Sequence, residues 1–357
     1  MSAPITEFVD IDVLVAGAQA EKFNFGSLMG AFSHTVNAAR QNGPFFSVPE
    51  LVAAGFTSVA EPEVHAWGSR VFDQENGIDQ VLVGLRDGGD ANLTVSLDAI
   101  EAADPSTFYG VNIDTRVDAD IALLAAWVEA RNGGNAGRKI AVAQSDDLTL
   151  VAFLAMQSAN YNRTAGIYHA NDTEWLDGAW SSKGLGFNLD GPDGAGTWNE
   201  KPLSGVPFDK VTGAQATAIY AADANLFGRL KSLNFTSKGK MASGRSIDIT
   251  TTIDWVATRM EEAILSLFVG TPTKIPYTNA GINTVAAKAQ EILNAGVRNG
   301  HFASEADSLP GARPEIRVPN VLTIDPQLKI AKTLPLIATA TFAGSIEKLE
   351  LTLNVTF

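Results

Sequence analysis

The sequence predicts an α/β first half and an α+β second half, with an extended strand arm at each end. Three observations carry this reading. Short runs rich in Val, Ile and aromatic residues alternate with helical patterns up to about residue 170. The charge divides unevenly: residues 1–200 hold 10 Lys/Arg against 27 Asp/Glu, and residues 201–357 hold 16 against 13. A stretch from Lys183 to Val206, punctuated by Gly and Pro, lies at that division. With 357 residues, 45% of them hydrophobic, the chain has ample length for two cores at about 150 residues per domain.

In the acidic half the expected strands are 79–86, 108–113, 139–144 and 164–169, each short and apolar. Helical spacing predicts helices over 63–72, 93–102, 119–131 and 148–160; in the third, Ile121, Leu124, Ala125 and Val128 share one face and Gly133 supplies the stop. Strands alternating with helices imply a largely parallel sheet. In the second half, 246–253 alternates like a strand and leads into a helix over 254–270, which Gly270 and Pro272 end. A further helix is expected over 283–299, and strand material thereafter.

The chain ends carry the sharpest patterns. From Ile346 onward, Leu349, Leu351, Leu353, Val355 and Phe357 alternate with polar residues to the last position, and near the start Val9, Ile11, Val13 and Val15 do so less strictly. Small residues, 16–20 and 343–345, tether each arm. Such strands are either ordinary edges of their own sheet or additions to the sheet of another subunit. Six buried apolar side chains contribute about 9–18 kcal/mol gross, against about 12–24 kcal/mol for ordering a dozen residues. One arm therefore binds weakly, and exchange is effective only where many engagements act together.

Several function classes are excluded or disfavoured. Cysteine is absent, which removes disulfides, thiolate metal sites and thiol chemistry. The formal net charge of −14 repels phosphate backbones and argues against a nucleic-acid partner. The first residues carry neither a basic n-region nor an apolar h-region, and no apolar run approaches the roughly 18 residues of a membrane span. His34, His65, His169 and His301 lie in separate segments without metal-ligand spacing. Gly184-Leu185-Gly186 begins a dinucleotide fingerprint, but Leu189 stands where its third glycine belongs. Pro192 interrupts a calcium-loop register starting at Asp190. Asp146-Asp147 is an acid/base pair or a helix cap. A hydrolase assembled from distant segments, or a soluble binding protein with ordinary edge strands, is the competing class. One charge feature stands out: between Ala224 and Ile247 lie Arg229, Lys231, Lys238, Lys240 and Arg245 and no acid, a complement for an acidic surface or a solvated strand pair.

The order of segments resembles the contractile tail sheath proteins of bacteriophages and related injection systems, over nearly the whole chain. The resemblance rests on the alternating start followed by 25–30 (FGSLMG) and 47–51 (SVPEL). It continues with 161–164 (YNRT), 167–169 (IYH), 177–180 (DGAW), 197–206 (TWNEKPLSGV), 254–260 (DWVATRM) and 274–281 (KIPYTNAG). It implies a structural protein with no catalytic residues and no cofactor, polymerising as stacked hexameric rings around a tail tube. The partners it implies are other copies of the chain, the tube protein, and baseplate and tail terminator proteins. Such a subunit is built in the host cytoplasm and resides in the virion tail. The expected layout is an N-terminal arm and linker (1–20), an outer α/β domain (21–195), an inner α+β domain (196–343) and a C-terminal arm (344–357). The arms would complete a neighbour's sheet, and the five basic residues would face the tube. The stem before the last strand, 343–347 (AGSIE), departs from the usual Gly-Ala-Ile-type turn, and the chain is short for the family.

Overall fold

The computed structural model describes residues 22–104, 108–132, 137–192, 194–271, 273–308, 310–311 and 313–344. Both arms of the sequence reading, Val9–Val15 and Ile346–Phe357, lie outside the described residues.

An eight-stranded sheet organises the chain. Its strands are β1 (Ser27–Phe32), β2 (Gln41–Phe45), β3 (Gln80–Leu85), β4 (Gly110–Ile113), β5 (Ile140–Ser145), β6 (Thr164–Tyr168), β7 (Asn225–Leu230) and β8 (Leu233–Ser237), in the order β2-β3-β1-β4-β5-β6-β7-β8. The pairings from β3 through β7 are parallel, and β2 and β8 add antiparallel edges. Helices cover both faces, so the inner strands bury every side chain and read as continuous apolar runs. On one face Leu28, Phe32, Val81, Val83, Val142 and Ile167 pack under Trp67 and Val71 of α2 (Pro62–Phe72) and Leu176 and Trp180 of α6 (Leu176–Leu185). On the other, Met29, Ala31, Leu82, Val111 and Ala143 meet α3 (Leu93–Ala103), α4 (Asp118–Glu129) and α5 (Val151–Ser158). Two short helices, α1 (Val48–Ala53) and α7 (Gly213–Ala221), complete this α/β body.

The four strands and four helices expected for the acidic half are present within a few residues. The sheet extends further than expected, because β7 and β8 come from beyond residue 195, yet β7 hydrogen-bonds to β6 and β8 to β7. β1, central in the sheet, lacks the alternation of a half-buried strand because both its faces are covered.

The remaining elements are α8 (Ile247–Gly270), α9 (Asn279–Arg298), β9 (Glu315–Arg317), α10 (Pro326–Ile330) and β10 (Ile337–Thr339). The strand expected over 246–253 is instead the start of the 24-residue α8. Its β-branched residues favour a strand locally. Burial of Ile247, Thr251 and Trp255 at four-residue spacing against the α/β body overrides that preference. The hydroxyls of Thr250 and Thr252, bonded to the Asn162 carbonyl (3.1 Å) and to His301 Nδ1 (3.1 Å), fix the helical register. In place of the strand-rich C-terminal region expected, the described residues there hold two three-residue strands.

Gly184, part of the incomplete dinucleotide motif, lies in the last turn of α6, where the Trp198 indole leaves no room: a Cβ would sit 2.3 Å from it. Gly184→Ala is expected to destabilise the protein by about 1–3 kcal/mol. Urea denaturation with an unchanged midpoint would contradict this packing.

Candidate assembly surface

In open α/β sheets, ligands bind beyond the carboxyl ends of the parallel strands where the strand order reverses, here between β1 and β4. That crevice is closed by its own side chains. The Ser33 N–H donates to Asp114 Oδ2 (2.7 Å), Arg86 pairs with Asp114, and the nearly buried Arg116 pairs with the buried Asp177 (2.9 Å). His169 Nδ1 meets the Asp209 carboxylate at 2.9 Å, and its Nε2 is buried with no partner among the described residues. No hydroxyl or thiol nucleophile contacts that ring among the described residues. His301 stacks on Trp255 at 4.5 Å, and burial lowers its pKa. His34 is buried edge-on to Phe56, its pKa also lowered by burial. No group of three His, Asp or Glu among the described residues is placed to hold a metal ion.

The other acidic motifs are structural. Asp147 accepts from the Thr149 N–H (2.7 Å) and hydroxyl, closing a turn ahead of α5; those bonds lower its pKa. Asp190 accepts from Trp255 Nε1 (2.9 Å) and from Nε and Nη2 of Arg259 (3.0 and 2.9 Å), tying its loop to α8. Across the same end of the sheet, residues just ahead of β4, β5 and β6 converge on Asp254 of α8. Tyr109 donates to its Oδ2 at 2.7 Å, Arg163 forms two bonds to it, and Arg138 lies 3.8 Å away. Arg138 also pairs with Glu261 about two turns further along (2.8 Å). Burial outweighs these cations and pushes the Asp254 carboxyl up to about 6. The C-terminal elements are thus joined to the α/β body at the amino ends of its strands, opposite the closed crevice.

Beyond this joint the C-terminal elements are incompletely buried. Leu265, Phe268 and Val269 near the end of α8, and Val318, Leu322, Ile330 and Ile337 beyond it, are all exposed. The β9–β10 sheet has only two strands, a form that is marginal in isolation. Gln290 covers its β9 side by donating to the Pro314 carbonyl and accepting from the Ile316 N–H. On the β10 side, Ala338, opposite Ile316, has no backbone partner among the described residues. Large apolar residues exposed in such number over one part of the chain are the kind of feature that marks contact surfaces.

The five basic residues do not converge. Arg229 and Lys231 lie at the tip of the β7–β8 hairpin, and Lys238, Lys240 and Arg245 near its base. Lys240 pairs with Asp223 (3.6 Å), Arg229 lies over Phe208 and Lys238 over Tyr220. Arg229, Lys231, Lys238 and Arg245 have no carboxylate partner among the described residues. They line the edge of the large sheet, at a distance in sequence and topology from β9 and β10. The sequence reading missed a second basic group, Lys274, Lys329 and Lys332, because its members come from separate loops.

Residues 247–306, from the start of α8 to just past α9, match a family described as E217 tail sheath protein gp31-like, C-terminal domain. No curated protein matches the chain. Among solved structures, the fold is similar to the anti-feeding prophage helical sheath in its contracted state, with 14% identity, 97% of each chain covered and a TM-score of 0.68. It is also similar to a chain of the sixfold-symmetrised anti-feeding prophage baseplate (13% identity, 100% of each chain, TM-score 0.67). A third likeness is to the sheath complex of an extracellular contractile injection system, PVC, in its contracted state, with 12% identity, 99% of this chain and 98% of that one covered, and a TM-score of 0.62. The described residues therefore have the fold shared by these sheath and baseplate chains.

Asp254 supplies a test of the joint. Its carboxyl titrates higher folded than the usual value near 3.8, so its contribution is fully present below that value and is lost as pH rises through about 6. Relative to Asp254→Asn, the native protein is expected to gain of order 1–3 kcal/mol as pH falls from 7 to 4. A stability difference that is flat, or that shrinks on acidification, would contradict the burial argument.

Proposed function

We propose that the protein is a structural subunit of a contractile sheath, not an enzyme, and that copies stack as hexameric rings around a tail tube and contract to drive that tube through a host envelope. The observation that carries this reading is the unfinished surface of the C-terminal elements, on a chain whose described residues share the fold of sheath and baseplate chains. A folded monomer leaves exposed there the apolar residues that a lattice would cover. On this reading residues 21–195 form the outer unit, and residues 196–343, which include the β7–β8 hairpin as well as the C-terminal elements, form the inner unit that faces the tube. Baseplate and tail terminator proteins close the two ends of the lattice. The subunit is built in the host cytoplasm and resides in the tail of the particle.

The N-terminal arm (Val9, Ile11, Val13, Val15) and the C-terminal arm (Ile346, Leu349, Leu351, Leu353, Val355, Phe357) pass to neighbouring copies. The unpaired backbone of Ala338 at the β10 edge supports this assignment, since an added strand would find a donor and an acceptor there. Arg229, Lys231, Lys238, Lys240 and Arg245 are proposed to meet an acidic surface of the tube. Unchanged attachment of sheath to tube after neutralising all five would count against that role. During contraction the arms keep the subunits tethered while rigid bodies slide.

Removing the residues after Gly344 is expected to leave a folded monomer, with unchanged circular dichroism, that no longer forms tubes visible by negative-stain electron microscopy. Tubes formed equally well by the shortened chain would remove the C-terminal arm from assembly. Uniform small particles from the full chain at every concentration, with tube and baseplate proteins supplied, would overturn the sheath reading itself.

A further inference from the structure

A cavity of about 530 Å³ opens between the end of α8, the start of α9 and the segment around α10, within the roughly 300–1,000 Å³ of small-ligand sites. Its floor is apolar: Phe268, Ile275, Pro276, Ile282, Val285 and Leu334 line it. Its walls are fixed from within the subunit. The Tyr277 hydroxyl donates to the Thr333 carbonyl (2.9 Å), joining the α9 side to the α10 side. A Cβ at Gly281 would collide with the Pro276 carbonyl, so that glycine lets the preceding segment lie against the first turn of α9. Lys274, Lys329 and Lys332 surround the opening, no acidic residue lines it, and none of the three has a carboxylate partner among the described residues. Lys332 stands just past the end of α10 at φ 55°, a left-handed position where glycine is favoured, and there the Thr333 N–H bonds back to the Leu328 carbonyl (2.8 Å). A lysine is thus held at the rim at a conformational cost. The amino-terminal end of α9 adds positive potential to the same rim.

An apolar floor beneath a ring of unpaired ammonium groups selects a ligand that is apolar at one end and anionic at the other. A neutral apolar molecule would leave the lysines unanswered, and a bare anion would leave the floor in water. Three cations around one mouth, beside a helix amino terminus, suit a headgroup that carries more than one negative charge. We propose that the groove binds a single-chain amphiphile with a phosphate monoester headgroup, its alkyl chain on the apolar floor and its phosphate among Lys274, Lys329 and Lys332. The site lies within one folded subunit, so its occupancy requires neither a second copy nor a tube.

Dodecyl phosphate, titrated calorimetrically into the full chain below the concentration at which it forms micelles, is expected to bind saturably with one molecule per chain, and more weakly as salt is raised. Changing Lys274, Lys329 and Lys332 together to Gln is expected to weaken binding by about tenfold. Phe268→Ala, at an exposed position, should weaken it through the floor instead, and unchanged circular dichroism shows that each variant folds. Dodecyl maltoside, the same chain under a neutral head, binding as tightly as dodecyl phosphate would overturn the role of the lysines; inorganic phosphate binding as tightly would overturn the role of the floor. Co-sedimentation with phosphatidylglycerol vesicles, without saturable uptake of dodecyl phosphate, would mean that the lysines meet a membrane surface and not a ligand in the groove. Affinity unaffected by either variant would place the ligand elsewhere on the chain, and no binding to the native chain would remove the site altogether.

Discussion

The joint between α8 and the sheet is the constraint on which the rest of the structure depends. Asp254 is buried beneath Tyr109, Arg138 and Arg163, one from the chain ahead of each of three adjacent strands. A hydrophobic contact of similar area would tolerate sliding, whereas a buried ion pair loses several kcal/mol when either partner is withdrawn. Placing one carboxylate against three elements therefore fixes both the rotation and the height of the helix. Arg259, pinned to Asp190 and Glu262, repeats the device one turn further on. The connection between α8 and the sheet is thus held by electrostatics as well as by packing.

The location of that joint bears on function as much as its strength does. Doubly wound sheets present a crevice at the carboxyl ends of their strands, and enzymes place ligands there. In this chain Arg86 pairs with Asp114 and Arg116 with Asp177 at that end, so each charge there already has its counter-charge, although Nε of Arg86 and of Arg116 is buried with no partner among the described residues. The opposite end of the sheet, usually devoted to stability, carries α8. The fold alone implies no chemistry.

Much of the α/β body was legible because its helices are amphipathic or apolar at helical spacing and its strands β3 to β6 are short branched-chain runs bounded by turns. The central strand β1 escaped: with Ser27 through Phe32 buried on both faces, it shows no alternation and contains Gly30. The first turns of α8 were misread for the opposite reason. Ile247, Thr250, Thr251, Thr252 and Ile253 carry strand propensity, and only the tertiary contacts of Thr250, Trp255 and Asp254 make them helical. The sequence pattern singled out the two arms, which lie outside the described residues, and not the exposed apolar residues of the C-terminal elements. Lys274, Lys329 and Lys332 are dispersed over 58 positions of sequence and become one feature only when α9 and α10 fold together. Conversely the run from Arg229 to Arg245, compact in sequence, is drawn out along a hairpin. Proximity in the chain is a poor guide to charge clustering wherever a strand intervenes, because each residue advances about 3.3 Å.

The under-buried C-terminal elements suggest how a weakly binding arm suffices for a stable lattice. Exposed Phe268, Leu322, Ile330 and Ile337 cost the isolated subunit little, since each is merely hydrated, but every one covered by a neighbour contributes about 1.5–3 kcal/mol. If the arms pass to neighbouring copies as proposed, an arm near energetic balance on its own would bring such surfaces together at high effective concentration. In the proposed lattice each contact would be individually reversible, so that subunits could slide while their arms keep them tethered. A tighter arm would lock one arrangement and oppose sliding; an arm without the apolar surface beside it would not hold either. The division of labour between a rigid ionic joint inside the subunit and many weak apolar contacts outside it is what permits a lattice to move without coming apart.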